Sequence, residues 1–168
     1  YQYQGGTSQA GPHVSGAAAV FVQFYRDTHV QATPSPALVK AALINSAYAM
    51  EGAPGPRATP NMDEGWGRVD LRSLINSPRR YDFLDQTVLL ASGQVFEHRV
   101  IVASPAEPLN VTLVYTDVPG FPATIPALVN DLDLEVLGPN GQLYRGNQFD
   151  YGQSIADAAA SDILNNVE

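Results

Sequence analysis

Cysteine is absent from this 168-residue chain, so neither a disulfide nor a thiolate-bound metal can contribute to its fold. Lysine is nearly absent: Lys40 is the only one among nine basic residues, against 17 acidic residues and a net charge of −8. A chain this acidic repels nucleic acid and anionic membrane surfaces, so neither is expected as a partner. No run of 18 apolar residues occurs, which excludes a transmembrane helix of ordinary length. Tryptophan occurs once, as Trp66, and histidine three times, as His13, His29 and His98. What remains is 45% apolar, enough for a real core, in a length that suits one domain or two small ones.

The most informative stretch is residues 5–16, Gly-Gly-Thr-Ser-Gln-Ala-Gly-Pro-His-Val-Ser-Gly. Gly5 and Gly6 permit backbone conformations and a close substrate approach that a side chain would hinder. They deliver Ser8 to the start of a small-residue helix. A serine hydroxyl attacks a carbonyl only when a base takes its proton and when donors face the developing oxyanion. At a helix start the backbone N–H of Ser8 joins the donors that have no partner within the helix, and the helix dipole adds positive charge there. Pro12 is expected in the first turn, where a missing N–H costs nothing. Residues 14–24 are almost continuously apolar and predict a buried helix. Taken alone, Ser8 also suits the plainer role of a helix-capping serine.

The ordered run Gly6, Thr7, Ser8, Ala10, Pro12, His13, Val14 and Gly16 resembles the nucleophile segment of the subtilisin-like serine proteases. It departs from the usual pattern at Gln9, where Met is common, and at Gly11, where Ser or Thr is common. The resemblance implies that Ser8 is the nucleophile, that its N–H forms half of the oxyanion hole, and that Thr7 is a supporting donor. Gly5 and Gly6 would then flank the substrate backbone. It gives His13 no proton-transfer role, so His13 reads as structural, and His29 and His98 as surface or packing residues. The triad aspartate, the triad histidine and the oxyanion asparagine of such enzymes belong to segments N-terminal to position 1. The chain is therefore expected to be the C-terminal part of a longer enzyme and inactive alone.

Downstream, Ser35-Pro36 predicts the cap and first position of a second helix, with Val39, Ala42, Leu43 and Ser46 on one face. Residues 51–60 read as a Gly- and Pro-rich loop. The run Gly65, Trp66, Gly67, Val69 and Asp70 resembles the segment that closes a subtilisin-like catalytic domain, with Trp66 as packing and residues 71–75 as a short closing helix. Beyond position 78 the apolar residues recur with a period of two. Residues 87–91, 95–102, 111–115 and 132–136 predict strands, and Pro139-Asn140-Gly141 predicts a hairpin turn before residues 142–145. The expected fold is thus an α/β fragment of a subtilisin-like catalytic domain, helical, over residues 1–78. An antiparallel β-sandwich or jelly roll, cut short at its C-terminal end, follows over residues 79–168. Residues 113–117, 128–134, 139–141, 144, 146–147 and 165–168 of this second half resemble the β-domain after the catalytic domain in one group of bacterial subtilisin-like proteases. In general shape that domain is related to the P-domain of proprotein convertases.

Between Asp117 and Glu168 there are eight carboxylates against one arginine, Arg145. Asn130, Asp131 and Asp133 put two carboxylates on one face of a strand. That pattern usually marks a solvated face; the alternative is a structural calcium site to which Asp117 and Asn147 could add oxygens. No cofactor is expected for catalysis. The sequon at Asn110 matches N-glycosylation chemistry but falls in an expected strand.

The favoured expectation is an extracellular, bacterial serine endopeptidase that cleaves peptide or protein substrates through an acyl-enzyme on Ser8, completed by the rest of its parent chain. The other expectation is a non-catalytic β-sandwich module, for binding or assembly, with a helical prefix.

Overall fold

The computed structural model describes residues 3, 5–30, 32–50, 58–76, 81–86 and 89–168. Three helices come first: α1 at Thr7–Thr28, α2 at Pro36–Asn45 and α3 at Leu71–Asn76. Three strands follow, β1 at Glu135–Leu137, β2 at Leu143–Asp150 and β3 at Gln153–Ala156.

α1 buries a single stripe, Ala17, Phe21 and Tyr25, spaced four residues apart so that they stack on one face. Phe21 is fully buried and packs with Tyr25, Leu38 and Ala42 of α2, and Leu74 of α3. Removing its ring from water contributes roughly 2–3 kcal/mol. The sequence predicted burial all along residues 14–24; instead Val14 and Val20 are 43% and 48% exposed. One stripe is what two short helices can cover, so the remaining apolar face of α1 meets solvent.

α2 begins as its sequence dictates. The Ser35 side chain accepts from Leu38 N–H at 3.0 Å and Pro36 takes the first position. The Ser35 N–H in turn donates to Asp85 at 2.8 Å. Asp70 caps α3 by accepting from Ser73 N–H at 3.0 Å, so the short helix after the Trp66 turn forms as expected. Tyr81 and Phe83 close the core from below, stacked at 5.9 Å on each other, with Phe83 edge-on to Phe21 at 5.6 Å. The expected boundary at 77–80 lies outside the described residues, as do 51–57 of the Gly- and Pro-rich loop.

The second half is sparser than its alternation predicts. Its sheet has three strands in the order β1-β2-β3, all antiparallel, with Val136 opposite Tyr144 and Phe149 opposite Ser154. Among the described residues this is no jelly-roll sandwich. Residues 95–102 are exposed and form no ladder, and residues 87–88 lie outside the described residues. The stretch at 111–115 forms an isolated bridge rather than a strand, Val114 to Val167, with Leu113 and Glu168 exchanging N–H···O bonds at 2.6 and 2.9 Å and Tyr115 N–H donating to Asn166 O at 3.2 Å. Alternation marks which face a strand would bury, but a strand also needs a neighbour for its backbone groups.

The Pro139-Asn140-Gly141 turn does form, with Gly141 at φ 81° and Gly138 N–H donating to Gln142 O at 2.9 Å. A second turn, Tyr151-Gly152, has both residues at positive φ, which matches the twist a two-residue hairpin requires. Besides the packing of Tyr81 and Phe83 on the helices, two further contacts tie the second half to the first. Asn45 donates to Asn110 O at 3.1 Å and to Thr112 Oγ1 at 2.9 Å. Trp66 packs edge-on against Phe149, with ring centroids 6.4 Å apart.

Candidate active site

Ser8 is the second residue of α1, fully on the surface with Gly5, Gly6 and Thr7 beside it. Gly6 holds the cap position at φ 134°, a backbone state that strongly favours glycine. Among the described residues nothing stands within 4 Å of where side chains on Gly5 or Gly6 would begin, which leaves the backbone open to an approaching ligand. The first intrahelical acceptor is Gly6 O, which receives Gln9 N–H at 3.0 Å and Ala10 N–H at 3.1 Å. The N–H groups of Thr7 and Ser8 precede that bonded turn and point out of the helix end. Ser8 is thus a helix residue rather than its cap, and no side chain caps the helix.

Pro12 falls deeper than expected. Helix α1 starts at Thr7, so Pro12 lies within it rather than in the first turn, and it brings no N–H to the Ser8 carbonyl four residues back.

None of the three histidines bonds to Ser8. His13 Nδ1 donates to Gln9 O on its own helix at 2.7 Å, as a structural residue would. His29 stacks on Tyr25 at 4.1 Å and bonds Thr28. His98 pairs with Asp82 at 2.8 Å. Ser8, Thr7, Gly6 and Gly5 are therefore brought together, without a base beside them among the described residues.

The segment that follows is built by glycine geometry. Gly67 sits at φ 99°, and a side chain there would begin 2.3 Å from the Tyr48 carbonyl. That contact lets Tyr48 and Arg68 exchange N–H···O bonds at 3.0 and 2.9 Å, fastening the end of α2 to the Trp66 turn. Asn61 shapes the turn by accepting from Asp63 N–H and Glu64 N–H at 2.9 and 3.0 Å.

The acidic half is organised by hydrogen bonds. Asp117 accepts from Val129 N–H at 2.6 Å, from Asn130 Nδ2 at 2.7 Å, and from the N–H groups of Asn130 and Val118. The Val129 bond, followed by those from Asn130 and Val118, holds its carboxyl below the ordinary range. Asn130 thus turns its amide to Asp117, while Asp131 and Asp133 stay exposed. Among the described residues, no three His, Asp or Glu side chains gather closely enough to hold a metal ion.

Glu168 is a feature whose role the sequence did not announce. It is buried, its Oε2 accepts from Leu134 N–H at 2.7 Å, and its Oε1 has no partner among the described residues. Burial pushes its carboxyl up to about 7, with Asp133, Asp162 and Asp131 adding repulsion against the Leu134 bond. Gly146 leaves room for it, since a side chain there would begin 2.3 Å from Glu168 Oε2. Beside it Asp162 accepts from Asn147 at 2.5 Å and Asn165 at 2.6 Å. Burial alone would raise Asp162, but these bonds outweigh it and its carboxyl lies low.

An exposed serine two residues past a positive-φ glycine, with free N–H groups around it, is the arrangement the sequence motif describes. Residues 1–67 match the model of the subtilase family. The matched segment therefore spans the Ser8 turn, α1, α2 and the Trp66 turn. Over 97% of its length the chain is 31% identical to the Serine protease/ABC transporter B family protein tagA of Dictyostelium discoideum, covering 10% of that protein. Over 48% of its length it is 36% identical to an Extracellular serine protease of Serratia marcescens, covering 7% of it. The chain thus spans a tenth or less of the length of these relatives. The likeness to the Dictyostelium protein takes in the acidic half as well as the subtilase segment.

Proposed function

We propose that Ser8 is the nucleophile of a secreted serine endopeptidase, with its histidine base and orienting aspartate supplied by sequence outside residues 1–168. The observation that carries this reading is the exposed Ser8 in the first turn of α1, after Gly6 at φ 134°, inside a subtilase segment. In this reading Ser8 Oγ attacks the scissile carbonyl while its proton passes to the histidine. The resulting oxyanion receives the Ser8 N–H as one of its donors, with Thr7 in support. Collapse of the tetrahedral intermediate expels the amine, which takes up the proton, and leaves an acyl-enzyme on Ser8. Water then hydrolyses that ester by the same base. Gly5 and Gly6 give the substrate backbone room.

Secretion is supported by the name of the Serratia relative, an Extracellular serine protease. The 168-residue chain alone is expected to hydrolyse nothing, because no base reaches Ser8 among its described residues. The test is casein hydrolysis by the longer protein. Ser8→Ala is expected to remove at least about a thousandfold of the rate. Undiminished hydrolysis by Ser8→Ala would refute the reading.

A further inference from the structure

Between α2, the Trp66 turn and the end of the chain lies an open cleft of about 860 Å³. That volume falls within the range of sites that hold small ligands and short peptides. Its walls are mainly apolar, with Leu43 from the subtilase segment, Phe149 and Val167 from the acidic half, and Trp66 between them. In a chain with 17 acidic residues, the cleft lining contains no aspartate or glutamate. It does contain Lys40, the only lysine in the sequence. Among the described residues the Lys40 ammonium makes no hydrogen bond or ion pair. Four asparagines complete the lining; their Nδ2 groups donate within the chain, but Asn147 Oδ1 is buried with no partner among the described residues and is left as an acceptor for a peptide N–H.

A lone, unpaired cation at an apolar, carboxylate-free cleft selects an anion with an apolar body. The unpartnered Asn147 Oδ1 favours a peptide, which has N–H groups to donate, over a fatty acid, whose chain has none. We infer that this cleft binds the C-terminal end of a peptide, with apolar side chains against Trp66 and Phe149 and the free carboxylate on Lys40. Capture of a terminal carboxylate is a recurring mode of peptide recognition. The assignment is independent of the role of Ser8, because none of its residues takes part in that turn.

Trp66 is the only tryptophan and lines the cleft, so its emission reports occupancy directly. The probe is acetyl-Leu-Leu-Phe with a free carboxylate, titrated into the 168-residue chain beside the same peptide ending in an amide. The free acid is expected to change Trp66 emission saturably, and the amide to bind at least about tenfold more weakly. Lys40→Gln should reduce the acid to the level of the amide, while Lys40→Arg keeps most of the difference. Lys40 is exposed on α2, so its replacement leaves the core intact, and an unchanged far-ultraviolet spectrum checks this. Calorimetric titration should give the same ranking without relying on tryptophan. Equal binding of acid and amide, or no binding of either up to ~10 mM, overturns the assignment. So does saturation by dodecanoate alone. An emission shift that follows protein concentration without peptide would assign the cleft to a second copy of the chain, and also overturn it.

Discussion

Pro12 lies four residues after Ser8 within α1, so the Ser8 carbonyl receives no N–H from the position that would normally supply one. Side chains press on the neighbouring carbonyls instead: His13 Nδ1 donates to Gln9 O at 2.7 Å and Ser15 Oγ to Gly11 O at 3.2 Å. The turn that presents the serine thus lacks one helix bond and buries nothing, while the buried stripe from Ala17 onward anchors the rest.

Replacing Pro12 should strengthen that turn. Pro12→Ala restores a donor for Ser8 O at an exposed position, and a helix-interior proline costs up to about 3 kcal/mol. Urea unfolding is expected to give a stability gain of about 1–3 kcal/mol. A loss would mean that the proline holds the turn in its present form rather than weakening it.

Gly67→Ala tests the joint between α2 and the Trp66 turn. The new Cβ would stand 2.3 Å from Tyr48 O at a φ of 99°, so the Tyr48–Arg68 exchange must open. A loss of about 2 kcal/mol or more is expected in urea, together with faster hydrogen exchange at Tyr48 and Arg68 N–H. Unchanged exchange at both amides would show that the close approach is not what fastens this joint.

Glu168 makes the acidic half sensitive to pH. Its carboxyl is raised from 4.5 to about 7 in the folded chain, so the folded state holds its proton more tightly than the unfolded one. The stabilisation is complete below the unfolded value of 4.5 and is lost as pH rises through about 7. Asp162, shifted low, acts only below the ordinary 3.8 and leaves this window alone. Unfolding in urea at pH 5 and pH 8 should therefore differ by about 2 kcal/mol in favour of pH 5. Glu168→Gln, neutral at both values and still able to accept from Leu134 N–H, should flatten that difference. An equally steep dependence in Glu168→Gln would place the titration elsewhere.

Much of the helical half can be read from single residues. Ser35 and Pro36 set the start of α2, and Gly67 announces a close backbone contact, because each acts on its immediate neighbours. The Pro139-Asn140-Gly141 turn is legible for the same reason. Strands at 95–102 and 111–115 were overread, since alternation fixes a face but says nothing about which distant segment supplies the ladder. The depth of Pro12 in α1 was missed because the helix begins at Thr7, and only the conformation of Gly6 decides that. Ser8 and its glycines were named by their ordered motif. Asn165-Asn166-Val167-Glu168 was noticed as a pattern, yet the burial of Glu168 against Gly146 depends on contacts across more than twenty residues. The cleft around Lys40 left a fainter signal, a single lysine in an acidic chain.

The most direct measurement is covalent capture at Ser8. The longer protein is treated with a fluorophosphonate and the modified peptide is identified by mass spectrometry. Labelling is expected on Ser8 alone, absent in Ser8→Ala and absent from the 168-residue chain by itself. Labelling of the longer protein at another serine, with Ser8 untouched, would contradict its role as the nucleophile.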